Sequence, residues 1–258
     1  MMLTISDIIK NSWNFYIKNF KKLFIYMILM FLPTLILTLT GVISIYLSYY
    51  LPTTTIISNI IIVALFVASA LFNFWVFIAV IRHVKQSLLK EATEDWKTNI
   101  NNSSKFIWPM LVVAILNIIL VFFGSLLLII PGIIFSVWFS FIYYIVLFEN
   151  KTGTESLKAS KKMVVGRWWP ILWRILIPNL FFGIIIVFAT DIVSSPIKLA
   201  LPENMWQLAL LSLVSAIINS ISTPLVTTAN VMVYLTAKQN PLTEIPTSTE
   251  PPTDAKIK

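Results

Sequence analysis

Long apolar runs alternate with short polar stretches along this chain, and that alternation predicts six membrane-spanning helices. The runs fall at about residues 23–50, 56–81, 106–130, 132–148, 171–190 and 207–236. A hydrocarbon layer about 30 Å thick is crossed by roughly 17 to 25 apolar residues in a helix. The fourth run is the shortest and is expected to tilt little or to thin the bilayer locally. "LPTTT" links the first two runs. Pro131-Gly132 predicts a tight turn between the third and fourth, and residues 191–206 form the fifth connection.

The polar stretches have a pattern of their own. In "TISDIIKNSWNFYIKNFKKLF", residues 4–24, Ile5, Ile8, Ile9, Ser12 and Tyr16 recur at helical spacing opposite Asp7, Lys10, Asn14 and Lys18, which predicts an amphipathic surface helix. "TGTESLKASKKMVVGRWWP", residues 152–170, reads as a second such helix. Thr4 with Asp7, and Thr152 with Glu155, have the spacing of capping boxes. Ser12 precedes Phe20 by eight residues, as Ser160 precedes Trp168. A weaker third copy, "WKTNINNSSKFIWPML", also ends in Trp-Pro before an apolar run. The unit is therefore a surface helix followed by a transmembrane hairpin, used three times. Gly166 is expected to end the second surface helix, and Pro170 to open the fifth span, where a missing N–H does no harm.

Charge sets the orientation. Lys and Arg number 19. All but Lys198 fall in the N-terminal segment, the second and fourth connections, the start of the fifth span or the tail. The positive-inside rule places those segments, and both termini, in the cytoplasm. An even number of spans agrees. Trp108, Trp168, Trp169, Trp173, Trp206, Tyr46, Tyr49 and Tyr50 lie near span ends, where amphipathic rings settle at headgroup level. The expected architecture is all-α: one polytopic domain over residues 1–237, six transmembrane helices with cytoplasmic amphipathic helices, and a disordered cytoplasmic tail over 238–258 that carries four prolines.

Composition narrows the chemistry. The chain is 58% hydrophobic and 12% charged, too little charge to cover a soluble domain. It has no cysteine, which excludes disulfides, thiolate metal sites, thiol redox chemistry and lipid attachment through Cys. Its one histidine, His83, lies in a basic stretch beside Arg82 and Lys85 and is expected at headgroup level. Glu91, Glu94 and Asp95, flanked by Lys90 and Lys97, are read as a charged helix face. No Gly-rich phosphate loop, GxSxG, HExxH or paired intramembrane carboxylate is present.

Residues 129–170, with Pro131-Gly132, Glu149, Gly153, Ser156-Leu157, Ser160, Gly166-Arg167 and Trp169, resemble a group of bacterial six-span proteins. That family is named for the membrane domain of glycerophosphoryl diester phosphodiesterase and includes uncharacterised relatives. The basic residue the family often carries near the position of Trp138 is missing here. The resemblance implies a six-span fold and a membrane location. It does not imply phosphodiester hydrolysis, which in the fused proteins belongs to a separate soluble domain.

Two sets of residues are candidate sites. Lys158, Lys161, Lys162, Arg167, Trp168 and Trp169 form a basic, aromatic edge suited to anionic headgroups. Packing of that helix on the protein itself is the alternative. In the sixth span, Ser212, Ala216, Asn219, Thr223, Thr227 and Asn230 share one helix face, which suits close helix packing or a polar path. Asn73, Asn117, Asn179, Asn219 and Asn230 are expected to bond between helices; Glu149, Asp191 and Arg174 sit at span ends. The expected partners are membrane lipids with anionic headgroups and an unspecified membrane protein, with no nucleic acid, cofactor or metal. The function expected is a non-enzymatic cell (inner) membrane protein that organises or assists membrane components. Transport of a lipid or small amphiphile, and lipid processing, are the alternatives.

Overall fold

The computed structural model describes residues 2–50, 55–127 and 129–240, and every regular element among them is helical. The helices are α1 (Ile5–Lys18), α2 (Phe20–Tyr50), α3 (Thr55–Leu88), α4 (Trp96–Ser103), α5 (Ile107–Leu127), α6 (Ile129–Trp138), α7 (Ile142–Glu149), α8 (Gly153–Val164), α9 (Trp168–Ala200) and α10 (Met205–Gln239). A 3-10 turn, Ser104–Phe106, joins α4 to α5. Six stretches are long and apolar enough to cross a membrane, α6 and α7 together making the fourth. The protein is a multi-pass membrane protein. The order of elements repeats three times: a short helix, then two long ones.

The short helices pack on their own protein. Thr4 and Asp7 cap α1 reciprocally. The buried face of α1, Ile8, Ser12 and Tyr16, lies against α10 and α9. The α8 face of Ser156, Leu157, Ser160 and Val164 packs on α5, α6 and α7. The capping box expected at Thr152 does not form. Gly153 enters the left-handed region at φ +54° instead, and the Ser156 hydroxyl takes its carbonyl at 2.7 Å. Gly166 ends α8 with φ +86°, a conformation that favours glycine.

Three boundaries differ from the sequence pattern. Pro131 and Gly132 lie inside α6, in its first turn, rather than in a turn between spans. A Cβ on Gly132 would meet Ser125 Oγ at 2.1 Å, so glycine here lets α5 and α6 close on each other. The fourth span is not one helix: it breaks at 139–141. The fifth span continues to Ala200, through residues expected in a connection, because the helix holds its backbone bonding past Pro196. "LPTT" at 51–54 and the tail beyond Asn240 lie outside the described residues. The first two residues of the expected tail, Lys238 and Gln239, belong to α10.

Burial is concentrated at the basic end. Leu23, Tyr26 and Met27 of α2, Val76 to Val84 of α3, Ile142 and Ile145 of α7, and Ala229 to Ala237 of α10 form the core. Towards the other end apolar side chains face outward, among them Ile36, Ile43, Ile56, Val63, Val187 and Ile192. In lipid such exposure carries no penalty. The helices are thus locked at one end and spread at the other, and α10 lies among α2, α3 and α9.

Candidate functional site

The spread leaves a cleft along the polar face of α10. One cavity of about 640 Å³ lies between α2, α3 and α10, lined by Asn73, Ser212, Ala216, Asn219 and Thr223 among others. A second, of about 230 Å³, is lined by Tyr144, Asn219, Thr223, Thr227 and Asn230. Phe77, Asn219 and Thr223 belong to both. The two cavities together present every polar residue predicted for this face. From Ser212 to Asn230 the helix rises about 27 Å, close to the hydrocarbon thickness.

Hydroxyls on this face are turned back on their own helix. Thr223 donates to Asn219 O at 2.7 Å and Thr227 to Thr223 O at 2.7 Å. Ser212 meets Thr38 Oγ1 of α2 at 3.3 Å. Asn219 differs: its side-chain amide has no hydrogen bond among the described residues and is exposed to the cleft. Other asparagine amides back-bond to their own helix, as Asn179 does to Ile175 O at 2.6 Å; that of Asn219 does not, and in lipid an unbonded amide is costly. Asn179 of α9 and Asn230 close one end of the cleft through a reciprocal amide pair at 2.8 and 3.2 Å. Below it Tyr234 donates to Glu149 at 2.8 Å, and Lys151 and Lys238 flank the same carboxylate at 2.9 and 3.1 Å. Asn73 bonds Ser69 O of its own helix. Asn179 and Asn230 bond between helices, as does Asn99 to Tyr26 and Ala79 O, and Asn117 of α5, its Oδ1 unpartnered, meets the Tyr143 hydroxyl of α7. Asp191 pairs loosely with Lys198 at 3.6 Å, and Arg174 donates to Leu3 O and Pro170 O.

The helix α8 completes the broken fourth span. At 139–141 the chain tightens, with Ser140 N bonding Val137 O and Ile142 N bonding Phe139 O. Trp138 O and Phe141 N are thereby displaced from the helical ladder. The buried Ser160 hydroxyl donates to Trp138 O at 2.6 Å and accepts from Phe141 N at 3.2 Å. Irregular backbone at membrane depth is tolerated when protein groups satisfy it in this way.

The headgroup candidates divide. Lys158, Lys161 and Lys162 are exposed. Arg167, expected to reach phosphates, is buried and turned inward. It donates to Met163 O, Ala237 O and Asn240 O, the last two at the C-terminal end of α10. A guanidinium suits that position because the carbonyls there carry the negative end of the helix dipole. Trp168 and Trp169 line an apolar groove of about 680 Å³ with Trp138, Ile134 and Leu172. The Lys161 ammonium lies 4.2 Å from the Trp138 ring centroid, a cation–π contact near that groove.

Two readings of the second connection change. His83 is buried at 3% exposure, because α3 runs on to Leu88 and carries the ring inward against Tyr26. The acids are not one helix face. Glu94 pairs with Arg82 at 3.4 Å, Glu91 pairs with Lys85 at 3.3 Å, and Asp95 caps α4. Among the described residues no group of three or more His, Asp or Glu side chains is placed to hold a metal ion.

No family model, curated protein or solved structure matches the chain. The class the fold defines is a six-span integral membrane protein with a polar cleft along its last span.

Proposed function

We propose that this protein binds a lipid or small amphiphile in the cleft along α10 and does so without covalent chemistry. The observation that carries the reading is Asn219: an unbonded amide on an apolar spanning helix, shared by two cavities. A ligand hydroxyl, amide or ester carbonyl would satisfy it, and the apolar lining of Phe74 and Phe77 suits a chain. In this reading the basic end lies in the cytoplasm of a cell-membrane protein, following the placement of Lys and Arg. The family resemblance over 129–170 supports the same location.

The test is gentle purification followed by mass spectrometry of retained lipids. A selectively enriched amphiphile should be present in the wild-type protein and lost from Asn219→Leu/Thr223→Leu. Equal retention by the two proteins overturns the cleft reading. A second reading, an accessory protein that organises membrane components, is favoured by the Lys161–Trp138 groove at the edge of α8. A stoichiometric protein partner in the same purification, lost from Lys158→Gln/Lys161→Gln/Lys162→Gln, would support it.

A further inference from the structure

Eight buried side-chain polar atoms lack a hydrogen-bond partner among the described residues, and six of them cluster on Arg82, His83, Gln86, Ser87 and Asn99. Native proteins leave few such groups, and each calls for a partner that the chain itself does not supply, a water, an ion or a ligand. Beside them lies a cavity of about 440 Å³ at the basic end of α2 and α3. His83 lines it, 3% exposed, with both ring nitrogens unpartnered. Tyr26 lines it too; its oxygen accepts from Asn99 Nδ2 at 2.8 Å, which leaves the hydroxyl proton to donate.

The charges around the cavity have one sign to spare. Lys21 and Lys22 stand at its wall, and their ammonium groups have no ion pair or hydrogen bond among the described residues. Of the two acids lining it, Glu94 is held by Arg82 at 3.4 Å and Asp95 accepts from Lys97 N as the cap of α4. Lys21, Lys22 and Arg82 together exceed Glu94 and Asp95 by one positive charge. The cavity offers two ammonium groups, an imidazole N–H and a phenolic O–H beside the Asp95 carboxylate, which is bonded to a backbone N–H and to no cation among the described residues. A compact anion with several acceptor oxygens fits it, and lysine is a phosphate binder as a point charge.

We infer that Lys21, Lys22, Tyr26 and His83 form a binding site for a phosphate group, carried by a lipid headgroup or by a free phosphate. The site is separate from the α10 cleft and stands or falls independently of it. The cavity has room beyond one phosphate, and it lies at the end of α2 where the span meets the polar stretch preceding it.

Because the chain has a single histidine, the ligand's arrival is readable on one resonance. The full-length protein, ¹³C-labelled at histidine, is held at fixed pH in uncharged detergent. It is titrated with inorganic phosphate, with dihexanoyl phosphatidic acid and with acetate at matched ionic strength. A saturable displacement of the histidine signal by a phosphate-bearing probe, and not by acetate, is expected. Displacement by the lipid alone identifies a headgroup site, and displacement by inorganic phosphate identifies a free-phosphate site. Lys21→Gln/Lys22→Gln, at exposed positions, should weaken binding about tenfold or more. The charge-matched Lys10→Gln/Lys18→Gln should not. No displacement by either phosphate probe, an equal one with acetate, or an equal weakening by both variants overturns the proposal. An unchanged elution volume and melting temperature show that the variants remain folded.

Discussion

Asn179 and Asn230 each donate to and accept from the other across α9 and α10, at 2.8 and 3.2 Å. The pair joins the sixth span to its hairpin partner at one end of the cleft, beside the cavity that Asn230 lines. Interhelical bonds of this kind in lipid contribute about 0.6 to 2 kcal/mol. Asn179→Leu and Asn230→Leu should each lower thermal stability in detergent. The double variant should lose less than the sum, with a coupling of about 1 kcal/mol in a double-mutant cycle. Strict additivity would show that the pair contributes nothing as a pair.

Ser12 and Ser160 are both fully buried on surface helices, yet they should differ as alanine variants. Ser12 donates to Ile8 O of its own helix at 2.6 Å, a carbonyl that stays within reach of the helical ladder. Ser160 serves two displaced backbone groups of another element. Ser160→Ala should cost about 2–4 kcal/mol, with both groups left buried and unpaired. Ser12→Ala should cost under about 1 kcal/mol. Equal melting temperatures for the two variants would count against the bridging role.

Arg167 should not be replaceable by lysine. Its donors reach three backbone carbonyls on two elements, and one ammonium cannot cover that spread. Arg167→Lys should destabilise the end of α10 by about 2 kcal/mol, seen as faster amide exchange over residues 234–239. Unchanged exchange would place the guanidinium's role elsewhere.

Docking of α1 should weaken in strong alkali. The Tyr16 hydroxyl donates to Ile221 O of α10 at 3.0 Å, and burial pushes its pKa up to about 12. When α1 is docked, Tyr16 keeps its proton above pH 10; when α1 is detached, it loses it there. The docked state therefore binds more protons, and its advantage, complete below about pH 10, falls as pH rises towards 12. Protease protection of residues 4–18 should follow that window, and Tyr16→Phe should flatten it. A pH response that survives Tyr16→Phe would assign it to another group.

The class of fold was legible because hydrophobic length and lysine placement are properties of single segments. The six spans, the cap at Thr4 and the polar face of α10 all follow from local spacing. The rest depended on residues far apart in the chain. Nothing near Trp138 says that the fourth span breaks, since the group that completes the break lies 22 residues on. Arg167 reads as a membrane-surface cation until Ala237 and Asn240 are brought to it. His83 follows Val80 and Ile81 and precedes Val84, and those apolar neighbours were the one local sign that α3 runs on and turns the ring inward.

The break in the fourth span also sets an order on assembly. When that segment first enters the bilayer during synthesis, Trp138 O and Phe141 N have no partner in it. Their partner, Ser160 of α8, emerges 22 residues after Trp138 and 19 after Phe141. Until then the segment is half-finished, and its insertion is a state the chain can still revise. Final seating of the fourth span thus waits on the stretch that follows it. A ribosome stalled with the fourth span emerged and Ser160 still in the exit tunnel should hold that segment in reach of the insertion machinery, whereas one stalled after Ser160 has emerged should have released it.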